Sequence, residues 1–196
     1  MNHYYSKNQD SKLIINKITV DLLGNEFEIT NSSGVFSSKK LDRGTELLIK
    51  NAILKDGQDV LDLGCGCGVV GVSIAKAYPS SNITMCDFNK RAIKMARINI
   101  KDQNLQNAKV KHSDKYSKIE GTFDTIILNP PQSAGKQVCF DMITQAKDFL
   151  NSDGLLQIVA RHNKGGKDLS EKMANIFGNV KDIAKKGGFR VYVSSK

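Results

Sequence analysis

The segment DVLDLGCGCG, residues 59–68, decides the fold of this chain. Its first half is a short apolar run with β-branched content, which is typical of a buried strand. Three glycines follow at alternate positions, and residues 69–77 then show the apolar spacing of a helix. A strand, a tight glycine turn and a helix make a unit whose backbone can approach a ligand closely. The segment therefore predicts an open α/β sheet with a ligand site at the carboxyl end of this strand.

The acidic residue before the turn indicates which charge the ligand carries at this place. Asp62 is a poor neighbour for a pyrophosphate and a good one for an ammonium group. The glycine spacing also differs from the dinucleotide-binding fingerprint. A dinucleotide dehydrogenase is a formal alternative, although no catalytic His, Tyr–Lys pair or second domain supports it. The other alternative is an ordinary strand-to-helix turn that needs glycine only for packing.

Acidic residues also follow the next two predicted strands. Asp87 lies about twenty residues past the glycines, where a carboxylate can accept hydrogen bonds from both ribose hydroxyls of a nucleoside. It could instead cap the helix predicted over 91–100, for which Asn89 is the other candidate. Asp114 follows the strand at 109–112 and could accept from an adenine amino group or be a solvated loop acid. These acids predict one nucleoside site along the sheet edge.

A second motif, Asn129-Pro130-Pro131, follows the apolar strand predicted over 123–128. Pro131 makes the turn rigid, and Pro130 restricts Asn129 to an extended conformation. The amide oxygen of Asn129 and the carbonyl of Pro130 can then point at one spot and hold an –NH2 group by its hydrogens. The motif predicts chemistry on an amide or exocyclic amine nitrogen, against the alternative of a Pro-Pro turn that merely ends a strand.

Together these motifs resemble the class I S-adenosylmethionine-dependent methyltransferases, and the resemblance covers nearly the whole chain. Further segments look most like the small-domain group of this class, which contains ribosomal small-subunit RNA guanine-N2 methyltransferases and compact archaeal relatives. These segments are His3–Ser6, Gly34–Ser37 and Leu41–Thr45, with an ending similar to the archaeal relatives at 177–180 and 186–191.

The resemblance implies a Rossmann-like α/β fold with a seven-stranded, mostly parallel sheet whose last strand is antiparallel. It also implies S-adenosylmethionine as cofactor, and Asn129, Pro130 and Pro131 as the catalytic residues. Placing an amine against the sulfonium methyl can supply up to roughly 7–11 kcal/mol, so no strongly basic residue is required. The residues expected to bind the cofactor are Thr45, Asp62, Gly64, Cys65, Gly66, Gly68, Asp87, Phe88, Ser113, Asp114 and Asn129.

One residue departs from the family pattern. Many amino-methyltransferases place Tyr or Phe after this motif to stack on the target base, whereas this chain has Gln132. Stacking contributes ~1–3 kcal/mol per base in single-strand binding, so the ring must come from elsewhere. Phe36 is the candidate, with Tyr4 or Tyr5 second. Phe36 could equally be a plug that packs the N-terminal segment onto the core.

The charge of the chain favours an anionic partner. Lys and Arg number 29 against 20 acids, which gives a net charge of +9. RNA, and in particular ribosomal small-subunit RNA, is the plausible partner, although a solvated basic surface is the alternative. We expect the substrate to be a guanine amine; a protein glutamine amide and a non-catalytic RNA-binding module are the rival hypotheses. The expected substrate contacts are Phe36, Lys39, Arg43, Lys136 and Arg161.

The organisation of the chain predicts one domain over 1–196, with an N-terminal extension at 1–40 and a catalytic core at 41–196. The extension should contain a hairpin of Ile18–Leu22 and Glu26–Ile29, turned by Gly24-Asn25. No apolar stretch approaches the ~18–20 residues of a membrane span, and no signal sequence is visible, so we expect a cytoplasmic protein without a membrane partner. Four cysteines without a second Cys-x-Cys cluster make a poor zinc pattern, so no metal is expected.

Overall fold

The strand predicted from residues 59–63 lies at the centre of a seven-stranded sheet. The structure is a computed structural model that describes residues 12–37 and 40–196. β3 (Asp59–Leu63) pairs in parallel with β4 (Asn82–Asp87) on one side and with β6 (Phe123–Leu128) on the other. All three are buried on both faces, which explains why their sequences are nearly continuous apolar runs.

The remaining strands complete the sheet in the order β5-β4-β3-β6-β7-β9-β8. β5 (Ala108–His112) runs parallel to β4, and β7 (Leu150–Arg161) runs parallel to β6. β9 (Phe189–Ser195) inserts antiparallel between β7 and β8 (Lys181–Lys186). The predicted fold class, with a last strand that runs antiparallel, is therefore confirmed.

Five α-helices are present in the described part of the chain: α1 (Arg43–Asn51), α2 (Val69–Ala77), α3 (Lys90–Asp102), α4 (Lys136–Ala146) and α5 (Lys167–Phe177). None of them is both long and apolar enough to cross a membrane.

The first helix is shorter than the span Asp42–Leu54 that its sequence predicts. It begins after Asp42, whose carboxylate accepts from Thr45 N at 2.8 Å as an N-cap, and it ends at Asn51. The chain leaves the helix because the buried side chain of Gln157 bonds both Ile53 N (2.8 Å) and Ile53 O (2.7 Å). A polar group on β7 thus overrides the local helix preference.

The N-terminal hairpin consists of β1 (Ile15–Leu22) and β2 (Asn25–Ser32). The expected turn at Gly24-Asn25 is wrong by one residue, because Leu22 pairs with Asn25. Leu23 and Gly24 occupy the turn with φ of 52° and 77°, as a two-residue hairpin turn of this hand requires. Apolar side chains of the hairpin belong to the same core cluster as β3 and α2. The division between extension and catalytic core stays a prediction.

Asn99, fully buried on α3, fixes this hairpin to the glycine turn. Its amide accepts from Thr30 N at 2.8 Å and donates to Thr30 O and Cys67 O at 2.8 Å each. One side chain therefore satisfies three backbone groups from two distant segments.

Replacing Asn99 with Ala should lower the free energy of unfolding by about 3 kcal/mol, because buried backbone groups lose their partners. Urea denaturation measures the change. Lys94→Ala, at an exposed position of the same helix, is the matched control and should shift stability by less than ~0.5 kcal/mol. Equal effects of the two substitutions would contradict the role assigned to Asn99.

Candidate active site

A cavity of about 350 Å³ opens at the carboxyl edge of the sheet. The ends of β3, β4 and β6 form its floor, as expected for an open α/β sheet. Residues before and within α1 cover one side. Most of the predicted site residues line it, namely Phe36, Thr45, Asp62, Gly64, Cys65, Gly66, Asp87, Phe88, Ser113, Asn129, Pro130, Pro131 and Arg161.

The backbone of the glycine turn adopts left-handed conformations that residues with a Cβ rarely adopt. Gly64, Gly66 and Gly68 have φ of 73°, 57° and 87°. The N–H groups of Gly64 and Cys65 both donate to Cys86 O, at 2.8 and 2.9 Å, which ties the turn to β4. Gly68, which was predicted to bind the cofactor, does not line the cavity. A Cβ at this position would meet Met85 Sδ at 3.1 Å and Ala96 Cβ at 3.2 Å. Its role is close packing against α3.

Asp62 is a buried acid in the cavity floor, 2% exposed. Its Oδ2 accepts from Gly71 N at 3.0 Å, and a carboxylate has capacity for further donors. Burial raises the pKa of Asp62 to about 7; the Gly71 hydrogen bond opposes this rise, and the nearby Asp87 adds to it. A cation in the cavity would stabilise the ionised form.

Asp87 is held at the end of β4 by the backbone. Its Oδ2 accepts from Gly66 N at 2.9 Å and its Oδ1 from Asn89 N at 2.7 Å. Asn89 is the N-cap of α3, accepting from the N–H groups of residues 91 and 92, so the capping alternative for Asp87 is wrong. Burial raises the pKa of Asp87, while the hydrogen bonds from Asn89 and Gly66 lower it.

The predicted adenine end of the cavity differs from expectation at one acid. Ser113 is buried and lines the cavity, whereas Asp114 is exposed and does not. The chain turns away there, with Ser117 N donating to Asp114 O at 3.0 Å. Phe88 lines the cavity and stacks on His112, with ring centroids 6.2 Å apart. Lys115 lines the same region, and sequence reasoning missed it.

The side chain of Asn129 is oriented from outside the Asn-Pro-Pro motif. Its Nδ2 donates to Thr45 Oγ1 at 2.9 Å and to Asp42 Oδ2 at 3.3 Å. Because the Asp42 carboxylate accepts hydrogen bonds, the amide nitrogen must face it, and the amide oxygen then faces away from α1. The pair Asp42 and Thr45 thus sets the direction in which Asn129 can accept.

The two prolines fix the following turn. Pro130 O accepts from Gln132 N at 2.8 Å across Pro131, whose φ of −74° and ψ of 75° are those of an inverse γ-turn. A carbonyl has a second lone pair, so Pro130 O retains capacity for another donor.

Gln132, where an aromatic residue would stack in related enzymes, has a structural role here. Its Nε2 donates to Lys164 O at 2.7 Å, and its Oε1 accepts from Arg161 N at 3.3 Å. The Asn-Pro-Pro turn is therefore bonded to the turn over 162–166 after β7.

The predicted substrate contacts separate into two groups. Phe36 is 40% exposed at the cavity, and Arg161 lines it with its guanidinium 4.6 Å from the centroid of the Phe189 ring. Arg43 and Lys136 do not line it, and Lys136 pairs with Asp168 at 2.8 Å. Lys39 lies outside the described residues, as do His3–Ser6 with Tyr4 and Tyr5.

Phe189 is a wall residue that the sequence did not reveal. It lies in β9, far along the chain from the motifs, and a Cβ on Gly44 would meet its ring at 2.8 Å. A cluster of metal-ligating side chains is not found among residues 12–37 and 40–196.

The comparisons with known proteins agree with the site. The chain matches the family described as Methyltransferase small domain over residues 26–193. It is 32% identical to the uncharacterized protein YbxB of Bacillus subtilis over 99% of this chain and 98% of that protein. It is 42% identical to ribosomal RNA small subunit methyltransferase C of Haemophilus influenzae over 81% of this chain and 48% of that protein. The chain thus spans about half the length of the latter relative.

Solved structures share the fold. The T. thermophilus 16S rRNA N2 G1207 methyltransferase (RsmC), in complex with AdoMet and guanosine, has a TM-score of 0.79 at 22% identity, covering 95% of this chain and 51% of that chain. A methyltransferase from Pyrococcus furiosus has a TM-score of 0.65 at 25% identity, covering 74% of this chain and 77% of that chain.

The fold and the cavity define a class of enzyme, the S-adenosylmethionine-dependent methyltransferases. Within that class, the chain belongs to the methyltransferase small domain family. The chemistry of the cavity fits this cofactor, because a buried carboxylate suits an ammonium group and a second carboxylate one strand away suits a ribose diol.

Thr45→Val should reduce the rate of methyl transfer about tenfold, because Asn129 loses one hydrogen bond worth ~1.4 kcal/mol and its amide is less well oriented. Single-turnover kinetics give the rate and calorimetry the cofactor affinity, which should stay near normal. Thr45→Ser keeps the hydroxyl and serves as control. A loss of cofactor affinity with an unchanged rate would show that Thr45 acts on the cofactor instead.

Cofactor affinity should fall as the pH drops through about 7, because the raised pKa leaves Asp62 protonated there and a neutral acid does not attract an ammonium group. Calorimetric titration should show affinity weakening about tenfold per pH unit below that point. Asp62→Asn should bind weakly with a flatter pH profile. Parallel profiles for both proteins would assign the titration to another group, such as Asp87.

Proposed function

We propose that this chain is an N-methyltransferase that acts on an exocyclic amine of guanine in RNA, with ribosomal small-subunit RNA as substrate. The observation that carries the proposal is the orientation of the Asn129 amide, which presents an oxygen acceptor at the cavity. The names of the relatives support the RNA class. The guanosine bound to the T. thermophilus neighbour supports the base.

The cofactor would lie along the three central strand ends. Asp62 takes the ammonium group, Asp87 the ribose hydroxyls, and Gly64 and Gly66 allow the close approach of the backbone. Cys65, Phe88 and Ser113 border the nucleoside. The exposed position of Asp114 leaves the adenine edge to these neighbours rather than to that carboxylate.

In the chemical step the main task of the protein is to position the amine against the methyl group. The cofactor supplies an electrophilic methyl group on a sulfonium. Asn129 Oδ1 and Pro130 O hold the two amine hydrogens, which turns the nitrogen lone pair toward that methyl group. That nitrogen would accept the methyl group as the carbon–sulfur bond of the cofactor breaks, leaving a thioether, and the surplus proton would pass to water. Alignment of this kind is worth up to roughly 7–11 kcal/mol.

The base would be held between side chains at the mouth of the cavity. Phe36 is exposed there and can stack on a base in place of the aromatic residue that Gln132 replaces. Arg161, packed over the Phe189 ring, lies at the same mouth and can contact phosphate. Four free cysteines agree with a reducing compartment, and the cytoplasm is the proposed location.

Asn129→Ala should lower methyl transfer to RNA by at least about 10²-fold, because the amine loses the acceptor that aligns it. Cofactor affinity measured by calorimetry should stay close to normal. Transfer is followed with labelled cofactor, and the modified nucleoside is identified by mass spectrometry of digested ribosomal RNA.

Two results would overturn the proposal. Label that enters a protein glutamine amide and not RNA would assign the enzyme to the rival substrate. RNA binding without any methylated product, in both the native protein and Asn129→Ala, would leave a binding module in place of an enzyme.

A further inference from the structure

A second, shallower cavity adjoins the active site on the side of β9. It lies between the turn over 162–166 and the tip of the β8–β9 hairpin. Phe189 lines both this cavity and the active-site cavity. The lining side chains are otherwise polar or basic, and include His162, Lys185, Lys186 and Arg190.

Four cations around this second cavity have no carboxylate within ion-pair distance among the described residues, although the charge of Glu46 acts on Lys186. Within the described part of the chain, Arg161, Lys164, Lys185 and Lys186 form no ion pair with a carboxylate. All four are exposed. Arg190 alone in the group is paired, with Asp182 at 2.6 Å. Exposed like charges on neighbouring segments repel one another, and an anionic partner would relieve that repulsion.

Hydrogen bonds join this basic surface to the catalytic turn. Gln132 bonds Lys164 O and Arg161 N, and His162 N donates to Gly188 O at the hairpin tip at 2.9 Å. The backbone path from Asn129 to Lys185 and Lys186 is therefore held by fixed contacts, which suits a surface that must keep register with the reacting base.

We propose that the turn over 162–166 and the hairpin tip at 185–188 form a phosphate-binding surface for the RNA strand that flanks the target nucleotide. The proposal rests on the proposed function, since it assumes an RNA substrate. RNA is favoured over an acidic protein because the cations lie at the ends of β7 and β8 and in the turn over 162–166, beside the active-site cavity. Phosphate contacts of this kind position a strand without reading its sequence.

The test compares two double charge reversals that change the net charge equally. Lys185→Glu with Lys186→Glu removes the surface, and Lys94→Glu with Lys101→Glu places the same change on exposed positions of α3. The probes are a short single-stranded RNA oligonucleotide that contains guanine, and free guanosine. We expect the first variant to bind the oligonucleotide about tenfold or more weakly, with a salt exponent smaller by roughly 1.4 for two lost contacts.

The two charge reversals should also differ in their rates of methyl transfer. The first variant should lose kcat/KM for the oligonucleotide and keep it for guanosine, which has no flanking phosphate, while the α3 variant should match the native protein on both. Neutral Lys185→Gln with Lys186→Gln repeats the comparison if the reversal disturbs folding. Equal RNA affinity and salt dependence for the two reversals would overturn the surface alone. A native protein that neither binds nor methylates RNA would overturn the proposed function itself.

Discussion

The carboxylate of Asp42 accepts hydrogen bonds both from the first turn of α1 and from a residue of the candidate active site. It accepts from Thr45 N, as the cap that starts α1, and from Thr45 Oγ1 at 3.1 Å. It also accepts from the amide of Asn129 at the end of β6. The start of α1 and the orientation of the Asn129 amide thus both depend on this one side chain. The position of the Asn129 side chain therefore depends on the backbone geometry at the start of α1.

Other polar side chains around the cavity also bond two separate segments of the chain. Asn99 bonds the hairpin and the glycine turn, and Asp87 bonds the glycine turn and the start of α3. Gln132 bonds the Asn-Pro-Pro turn to the turn after β7. The hairpin, the glycine turn and the Asn-Pro-Pro turn are therefore each fixed to a neighbouring element by a polar side chain. Loops positioned on a rigid scaffold are what a reaction that depends on alignment requires.

The sequence was sufficient for the features that arise from local pattern. The apolar runs, the glycines and the two strand-end acids Asp62 and Asp87 placed the sheet and the cavity, because parallel strands bring their carboxyl ends together. Polar contacts between residues far apart in the chain could not be predicted from the sequence. Nothing local to α1 shows that Gln157 ends the helix early, and nothing local to Asp114 shows that its side chain turns to solvent. Phe189 escaped notice because its place at the cavity depends on the pairing of β7 with β9.

The position of Phe189 also bears on the order of events during synthesis. The cavity takes its first described wall residues from the N-terminal hairpin region and one of its walls from β9. A nascent chain whose β9 is still inside the ribosome has the glycine turn, Asp62 and Asp87 of the cavity but lacks this wall. It also lacks the strand that inserts between β7 and β8. The walls of the cavity are therefore complete only after the last strand has inserted between β7 and β8 and closed the sheet.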